Sequence, residues 1–233
     1  VSVPSSTSPI DSNESSNETT IESTDIILNG QGQSVCLLDT GVDFTHPALQ
    51  HSEVAQQCFC SISDLGNGGC CENGQSRDVV ANDDSLNSHG THVAGIISAD
   101  GEVKGVANGA GIIAVKVCDF QGNCQGSDIL AGIDYCNSKS ADMNISVISG
   151  SLSDNGEYDN NNCPSVFDSS FETSRQLRIP MIFASGNNYY TSGIGYPACS
   201  PYTISVGASD GVTSIAPFTD RGDLLDLLAP GVG

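Results

Sequence analysis

The chain has 233 residues, enough for one large domain with a substantial core. It carries 7 Lys and Arg against 28 Asp and Glu, a formal net charge of −21. So few cations cannot build the basic face a nucleic acid or an anionic membrane needs, and no apolar run reaches the roughly 18–20 residues of a spanning helix.

The opening residues, Val1-Ser2-Val3-Pro4, have neither the cationic nor the apolar region of a secretion signal. Any such signal is expected to lie outside this chain or to have been removed. Residues 1–24 hold twelve Ser or Thr, several acids and no Lys or Arg. Too little there offsets the entropy of ordering, so 1–24 reads as a disordered, acidic, Ser/Thr-rich arm. The sequons Asn13-Glu14-Ser15 and Asn17-Glu18-Thr19 within it suit an exported chain. Residues 25–233 are expected to form one domain.

Within that domain strands and helices alternate. Ser34–Asp39 is a short apolar run ending at Thr40-Gly41 and predicts a buried strand. Ser88 precedes His89-Gly90-Thr91-His92-Val93-Ala94-Gly95 and reads as the cap of a helix. Ile112–Val117 predicts a strand. Ser127 to Cys136 has apolar residues at near-helical spacing. Ile145–Ile148 predicts a third strand, Ser165–Arg178 a helix, Met181–Ala184 a fourth strand and Thr203–Val206 a fifth. A third sequon, Asn144-Ile145-Ser146, falls in what reads as a buried strand and is discounted. The alternation implies a doubly wound α/β fold, a mainly parallel sheet with helices on both faces. Sites in such sheets lie at the carboxyl ends of the strands.

Ten cysteines stand at 36, 58, 60, 70, 71, 118, 124, 136, 163 and 199. An even count suits a disulfide framework and an exported, extracellular or cell-surface location. Cys58, Cys60, Cys70 and Cys71 lie in a Gly- and Asn-rich loop. Two disulfides there are expected over a four-thiolate zinc site, because adjacent Cys70 and Cys71 suit a tetrahedron poorly. The pairing is left open among three possibilities. Cys118 and Cys124 flank a turn that a bridge would close, and Cys36 reads as a free core thiol.

Three stretches place polar groups at strand or helix ends. They are Leu38-Asp39-Thr40-Gly41, His89-Gly90-Thr91-His92 and Ala184-Ser185-Gly186-Asn187. In this order they resemble the motifs of the subtilase (subtilisin-like serine protease) family. Val35–Asp43 followed by His46-Pro47 looks like the aspartate motif, Ser88–Gly95 the histidine motif and Ala184–Asn187 the oxyanion asparagine motif. Gly105-Val106-Ala107, Ala114–Val117 and Ala229-Pro230-Gly231 match connecting runs. The resemblance covers residues 31–233.

It implies an endopeptidase. A serine hydroxyl needs a base in hydrogen-bond reach. The resemblance makes His89 that base, with His92 structural and His46 the other rival. Asp39 would orient the imidazole, and Asn187 would donate to the oxyanion. A protein or peptide substrate would lie as an added β-strand between Gly122-Asn123-Cys124 and Ser151-Leu152-Ser153. Gly126, Ile129 and Leu152 would line an apolar pocket. Ser153 stands where the family usually has Gly, which would narrow the first specificity pocket.

The family's nucleophile follows the Ala-Pro-Gly run, so the serine is expected beyond Gly233, with 25–233 a catalytic domain incomplete at its C-terminus and inactive by itself. A non-catalytic peptide-binding pseudoprotease is the alternative. Gly207-Ala208-Ser209-Asp210-Gly211 fits a hydrolase nucleophile pattern, but that fold needs a later His, and none follows His92. Many subtilases bind calcium. Their common site needs an acid where Ala48 stands and a longer loop than Ser98–Val103, so no metal is expected there, no cofactor is certain, and calcium stays possible elsewhere. Asp83, Asp84 and Asp100 read as solvated carboxylates, with calcium the alternative at them. Nothing in the pattern bears on oligomeric state.

Overall fold

The computed structural model describes residues 28–62, 68–211 and 214–232. The arm at 1–24 lies outside the described residues. The described elements are nine strands and three helices.

The centre of the sheet is β1 (Ser34–Asp39), buried along its whole length. It pairs in parallel with β4 (Gly111–Lys116) on one side and β5 (Ile145–Gly150) on the other. Beyond β4 lies β2 (Glu53–Phe59), and beyond β5 lie β6 (Met181–Ala184) and β7 (Ile204–Asp210), all parallel. Short antiparallel strands, β3 (Arg77–Asp78) and β8 (Ser214–Ile215), complete the order β3-β2-β4-β1-β5-β6-β7-β8. β9 (Leu227–Val232) runs parallel to β7. The chain leaves β1 toward β2 and β4, and leaves β5 toward β6 and β7. Neighbouring strands whose exits diverge open a crevice at their carboxyl ends.

Strand periodicity sorts the core into two layers. On one face Cys36 and Leu38 of β1 and Ile113 and Val115 of β4 pack against Ile129, Ile133 and Cys136 of α2 (Gly126–Lys139) and Phe171 of α3 (Asp168–Gln176). On the other face Val35, Leu37, Ile112 and Ala114 pack against Ala94 of α1 (His89–Ser98). Both faces of the parallel centre are covered, and the fold is the doubly wound α/β class that the alternation implied.

Several local expectations are corrected. β2 and β9 went unread because their sequences do not look like buried strands. β2 is Glu-Val-Ala-Gln-Gln-Cys-Phe with its first residues exposed, and β9 is exposed throughout and holds Pro230 and Gly231. A proline is tolerated where no central ladder bond is lost. Cys36 is not a free thiol but is bonded to Cys136. Cys36 shares the α2-facing side of β1 with Leu38, and Cys136 continues the inward stripe of Ile129 and Ile133, so the two sulfurs meet. The remaining bridges are Cys58–Cys71, Cys60–Cys70, Cys118–Cys124 and Cys163–Cys199, and no described cysteine is free. Among the described residues no helix is long and apolar enough to cross a membrane.

The Cys36–Cys136 bridge closes a sequence separation of 100 residues and ties β1, which ends in Asp39, to α2. Cross-linking constrains the unfolded chain more as the loop lengthens. Replacing both residues by Ala is expected to lower stability by about 2–5 kcal/mol in denaturant unfolding. A change within error would show that the bridge does not carry this constraint.

Candidate active site

Asp39 ends β1 and is 3% exposed. Its Oδ1 lies 2.7 Å from His89 Nδ1 and accepts from the Thr40 backbone N–H at 2.8 Å. Its Oδ2 is buried with no hydrogen-bond partner among the described residues. The carboxylate can only accept, so Nδ1 of neutral His89 carries the proton and Nε2 is left as the acceptor. The hydrogen bond from His89 to Asp39 is the largest cause raising the His89 pKa above its ordinary value. Burial opposes it, and the charges of Asp39 and Asp83 add to it.

His89 is the first residue of α1, and its placement depends on how that helix begins. Ser88 has φ 51° and makes no side-chain cap, contrary to the capping role its position suggested. The orphan N–H groups of the first turn are satisfied from elsewhere in the chain. His89 N–H donates to Ser85 Oγ at 3.0 Å, Gly90 N–H to Thr40 Oγ1 at 3.0 Å, and Thr91 N–H to Asp83 Oδ2 at 2.8 Å. Thr40 Oγ1 and Ser85 Oγ in turn donate to Asp83 Oδ1, at 2.9 and 2.5 Å. Asp83 therefore ties the end of β1 to the start of α1 and places an anion at the positive end of the helix.

Burial opposes ionisation of Asp83, but hydrogen bonds from Ser85, from the Thr91 hydroxyl and N–H, and from Thr40 outweigh it and hold its pKa below the usual range. This corrects the reading of Asp83 as a solvated carboxylate. Gly90 makes the approach possible: a Cβ there would collide with the Gly41 carbonyl and sit 3.1 Å from Asp39 Oδ1.

Of the two other acids singled out as solvated or calcium-binding, Asp84 pairs with Lys116 and Asp100 with Lys104 at 2.6 Å. Lys116 ends β4 in register with Asp39, is buried, and donates to the Thr40 carbonyl at 2.9 Å. Among the described residues no three His, Cys, Asp or Glu side chains converge to hold a metal ion.

Asp39, His89 and Asn187 line one cleft of about 280 Å³, together with Gly122, Ser151, Leu152 and Ser153. Asn187 follows β6; its side chain is exposed and has no hydrogen-bond partner among the described residues, so its amide is free to donate. A second cavity, of about 530 Å³, shares Gly122, Leu152 and Ser153 and adds Asn123, Gly126, Ile129 and Phe167. The six residues expected to bind substrate thus line one continuous groove.

The wall at 122–124 is a turn closed by the Cys118–Cys124 bridge. Asp119 accepts there from the Gln121 and Asn123 N–H groups at 2.9 and 2.7 Å. Ser153 Oγ sits against Gly195 and Gly186. His92 and His46 lie outside the cleft, beside an apolar groove along α1. Ser209 lies inside β7, in register with Ile215 and Pro230, rather than on a strand-to-helix turn, so the hydrolase pattern at 207–211 is not a nucleophile elbow.

The Asp83 network escapes a local reading because its partners Thr40, Ser85 and Thr91 lie 43, 2 and 8 residues away, just after β1, in the adjoining loop and in α1. The only signal was an acid six residues before His89. Asp83→Asn is expected to lower the His89 pKa, measured by NMR titration of the imidazole. The folded pKa of His89 is raised, so its contribution to stability is complete below its ordinary value of 6.5 and fades as pH rises through the raised value. In Asp83→Asn that fading is expected at lower pH. An unchanged His89 titration would show that the network does not act on the imidazole.

The sequence model described as the Subtilase family matches residues 30–233. The chain is 31% identical over 204 residues to a cuticle-degrading serine protease of Arthrobotrys oligospora, covering 88% of this chain and 44% of that protein. It is 35% identical over 209 residues to subtilisin E of Bacillus subtilis, covering 87% and 48%. With a subtilisin of Bacillus pumilus it shares 34% over 209 residues, covering 87% and 66%. The chain thus spans about half the length of the first two relatives. With the fold and the ordered motifs, these matches establish that the chain belongs to the subtilase family.

Proposed function

We propose that residues 25–233 are the larger part of the catalytic domain of an exported serine endopeptidase. Asp39 would be its orienting acid, His89 its general base and Asn187 its oxyanion donor. The observation that carries this reading is one cleft lined by a paired carboxylate and imidazole and by an unpartnered amide. In the reaction a serine hydroxyl gives its proton to His89 Nε2 as its oxygen attacks the scissile carbonyl. Asp39 stabilises the imidazolium, and Asn187 Nδ2–H donates to the oxyanion of the tetrahedral intermediate. His89 then returns the proton to the leaving amine. The substrate would lie as an added strand between 122–124 and 151–153.

The nucleophile is proposed to follow Gly233. β9 runs parallel to β7 and so carries the chain toward the carboxyl end of the sheet. Ala229, Pro230 and Gly231 line a cavity together with Ser151, Ala184 and Asn187. A serine a few residues on would enter the cleft from the side opposite Asp39. The five disulfides support export, since such bridges persist in oxidising compartments.

A fluorophosphonate, which labels activated serines, tests this on the chain carried past Gly233 by its natural continuation. Labelling is expected in the extended chain, is lost in His89→Ala, and is absent from the 233-residue chain. Labelling of the 233-residue chain would place the nucleophile elsewhere, and no labelling of the extended chain would favour the pseudoprotease. In the active protein Asn187→Ala is expected to lower kcat on the order of 10²–10³-fold, the effect known for such a donor in subtilisin itself. An unchanged kcat would remove Asn187 from the site.

Ser153 sets a second expectation. Its hydroxyl fills space against Gly195 and Gly186, beside the cleft. Ser153→Gly in the active protein should raise kcat/KM for bulky over small residues on the amino side of the scissile bond by about tenfold or more. An unchanged ratio would show that Ser153 does not border that pocket.

A further inference from the structure

We infer that Asn144 is an acceptor for an N-linked oligosaccharide, attached at the base of the sheet on the end opposite the cleft. The sequon Asn144-Ile145-Ser146 was discounted because it falls in an apolar run. β5 begins at Ile145, where the sequence places it, and Asn144 precedes it as an exposed residue. Its φ of 49° is left-handed, a conformation in which Asn is among the few tolerated side chains. The Asn144 carbonyl is tied down, accepting from Ser34 N–H at 3.0 Å. The side-chain amide has no hydrogen-bond partner among the described residues, so a fixed backbone presents a free Nδ2.

The surroundings leave room for a bulky group. Ala141 and Asp142 before the site are exposed, as are Gln31 and Gln33 across from it. β5 separates Asn144 from Ser151 in the cleft, and its six residues span roughly 20 Å at about 3.3 Å each. A glycan here would stand clear of a peptide in the groove. Ser146 supplies the hydroxyl of the sequon, and in the folded chain this hydroxyl is bonded to Gln33 Oε1.

The step is a glycosyl transfer. The Nδ2–C1 bond forms, the C1–O bond of a lipid-pyrophosphate-linked oligosaccharide breaks, the lipid pyrophosphate leaves, and the amide loses one proton. Disulfide formation and this transfer occur along the same export route, and five disulfides mark the chain as a traveller on it. The inference rests on export and not on the protease chemistry.

The test is secretion of the whole chain from yeast behind a cleavable leader. Peptide mass spectrometry follows, after amidase release of glycans in heavy-oxygen water, which marks each formerly glycosylated Asn as labelled Asp. Labelling of Asn144 is expected on most molecules. It should fall to background in Asn144→Gln and in Ser146→Ala, and persist in Ser146→Thr. The serine variants keep Asn144 at its left-handed position, so they remain informative if the asparagine variant folds badly. Reading by peptide separates Asn144 from Asn13 and Asn17. An unlabelled Asn144 in secreted, disulfide-bonded protein would overturn the inference, whatever the state of the other two.

Discussion

The site depends on the docking of the first turn of α1 against the end of β1. A helix start leaves backbone N–H groups without partners, and here Ser88, at the usual capping position, does not supply one. Ser85, Thr40 and Asp83 take those donors instead. Because Thr40 adjoins Asp39 in sequence, the contacts that satisfy the helix also set the separation of Asp39 from His89. Folding and alignment of the acid–base pair are therefore a single problem with a shared solution. Asp83 ties the two elements together and adds negative charge near the His89 imidazole, which favours its cationic form.

The sheet supplies the other side of the cleft by direction alone. Parallel strands deliver their following loops to one end. Thus Asp39 at the end of β1, Ser151–Ser153 after β5 and Asn187 after β6 converge without further design. The disulfides stiffen what the sheet does not hold. Cys118–Cys124 closes the turn that forms one wall of the groove, and Cys36–Cys136 pins the strand that ends in Asp39 to the helix beneath it. Lys116 is an exception among the few cations, since it is buried and holds the Thr40 carbonyl.

Much of this was legible in the sequence where local pattern and contact coincide. Val35-Cys36-Leu37-Leu38 alternates toward two cores and reads as a buried strand at sight. Asp39, His89 and Asn187 stand in short motifs whose order carries the resemblance, and the six groove residues follow from it. What was not legible depends on where the fold places a residue rather than on its local pattern. β2 is polar because it lies toward the edge of the sheet. Cys36 looks like a core thiol until α2 places Cys136 over it. Asp83 looks like a surface acid until Thr40, Ser85 and Thr91 surround it. The strand at Ile145 was read correctly, but the apolar run after Asn144 hid that Asn144 itself stands exposed in the turn before it.

The proposed catalytic centre joins Asp39, His89 and Asn187 and is served by the groove at 122–124 and 151–153. The most direct measurement is a structure of the extended protein bound to a peptide aldehyde. The expected result is a hemiacetal whose oxygen lies about 3 Å from Asn187 Nδ2, with His89 bonded to Asp39 and the peptide paired to both groove segments. An inhibitor bound elsewhere, or in the cleft with Asn187 turned away from the hemiacetal oxygen, would contradict it.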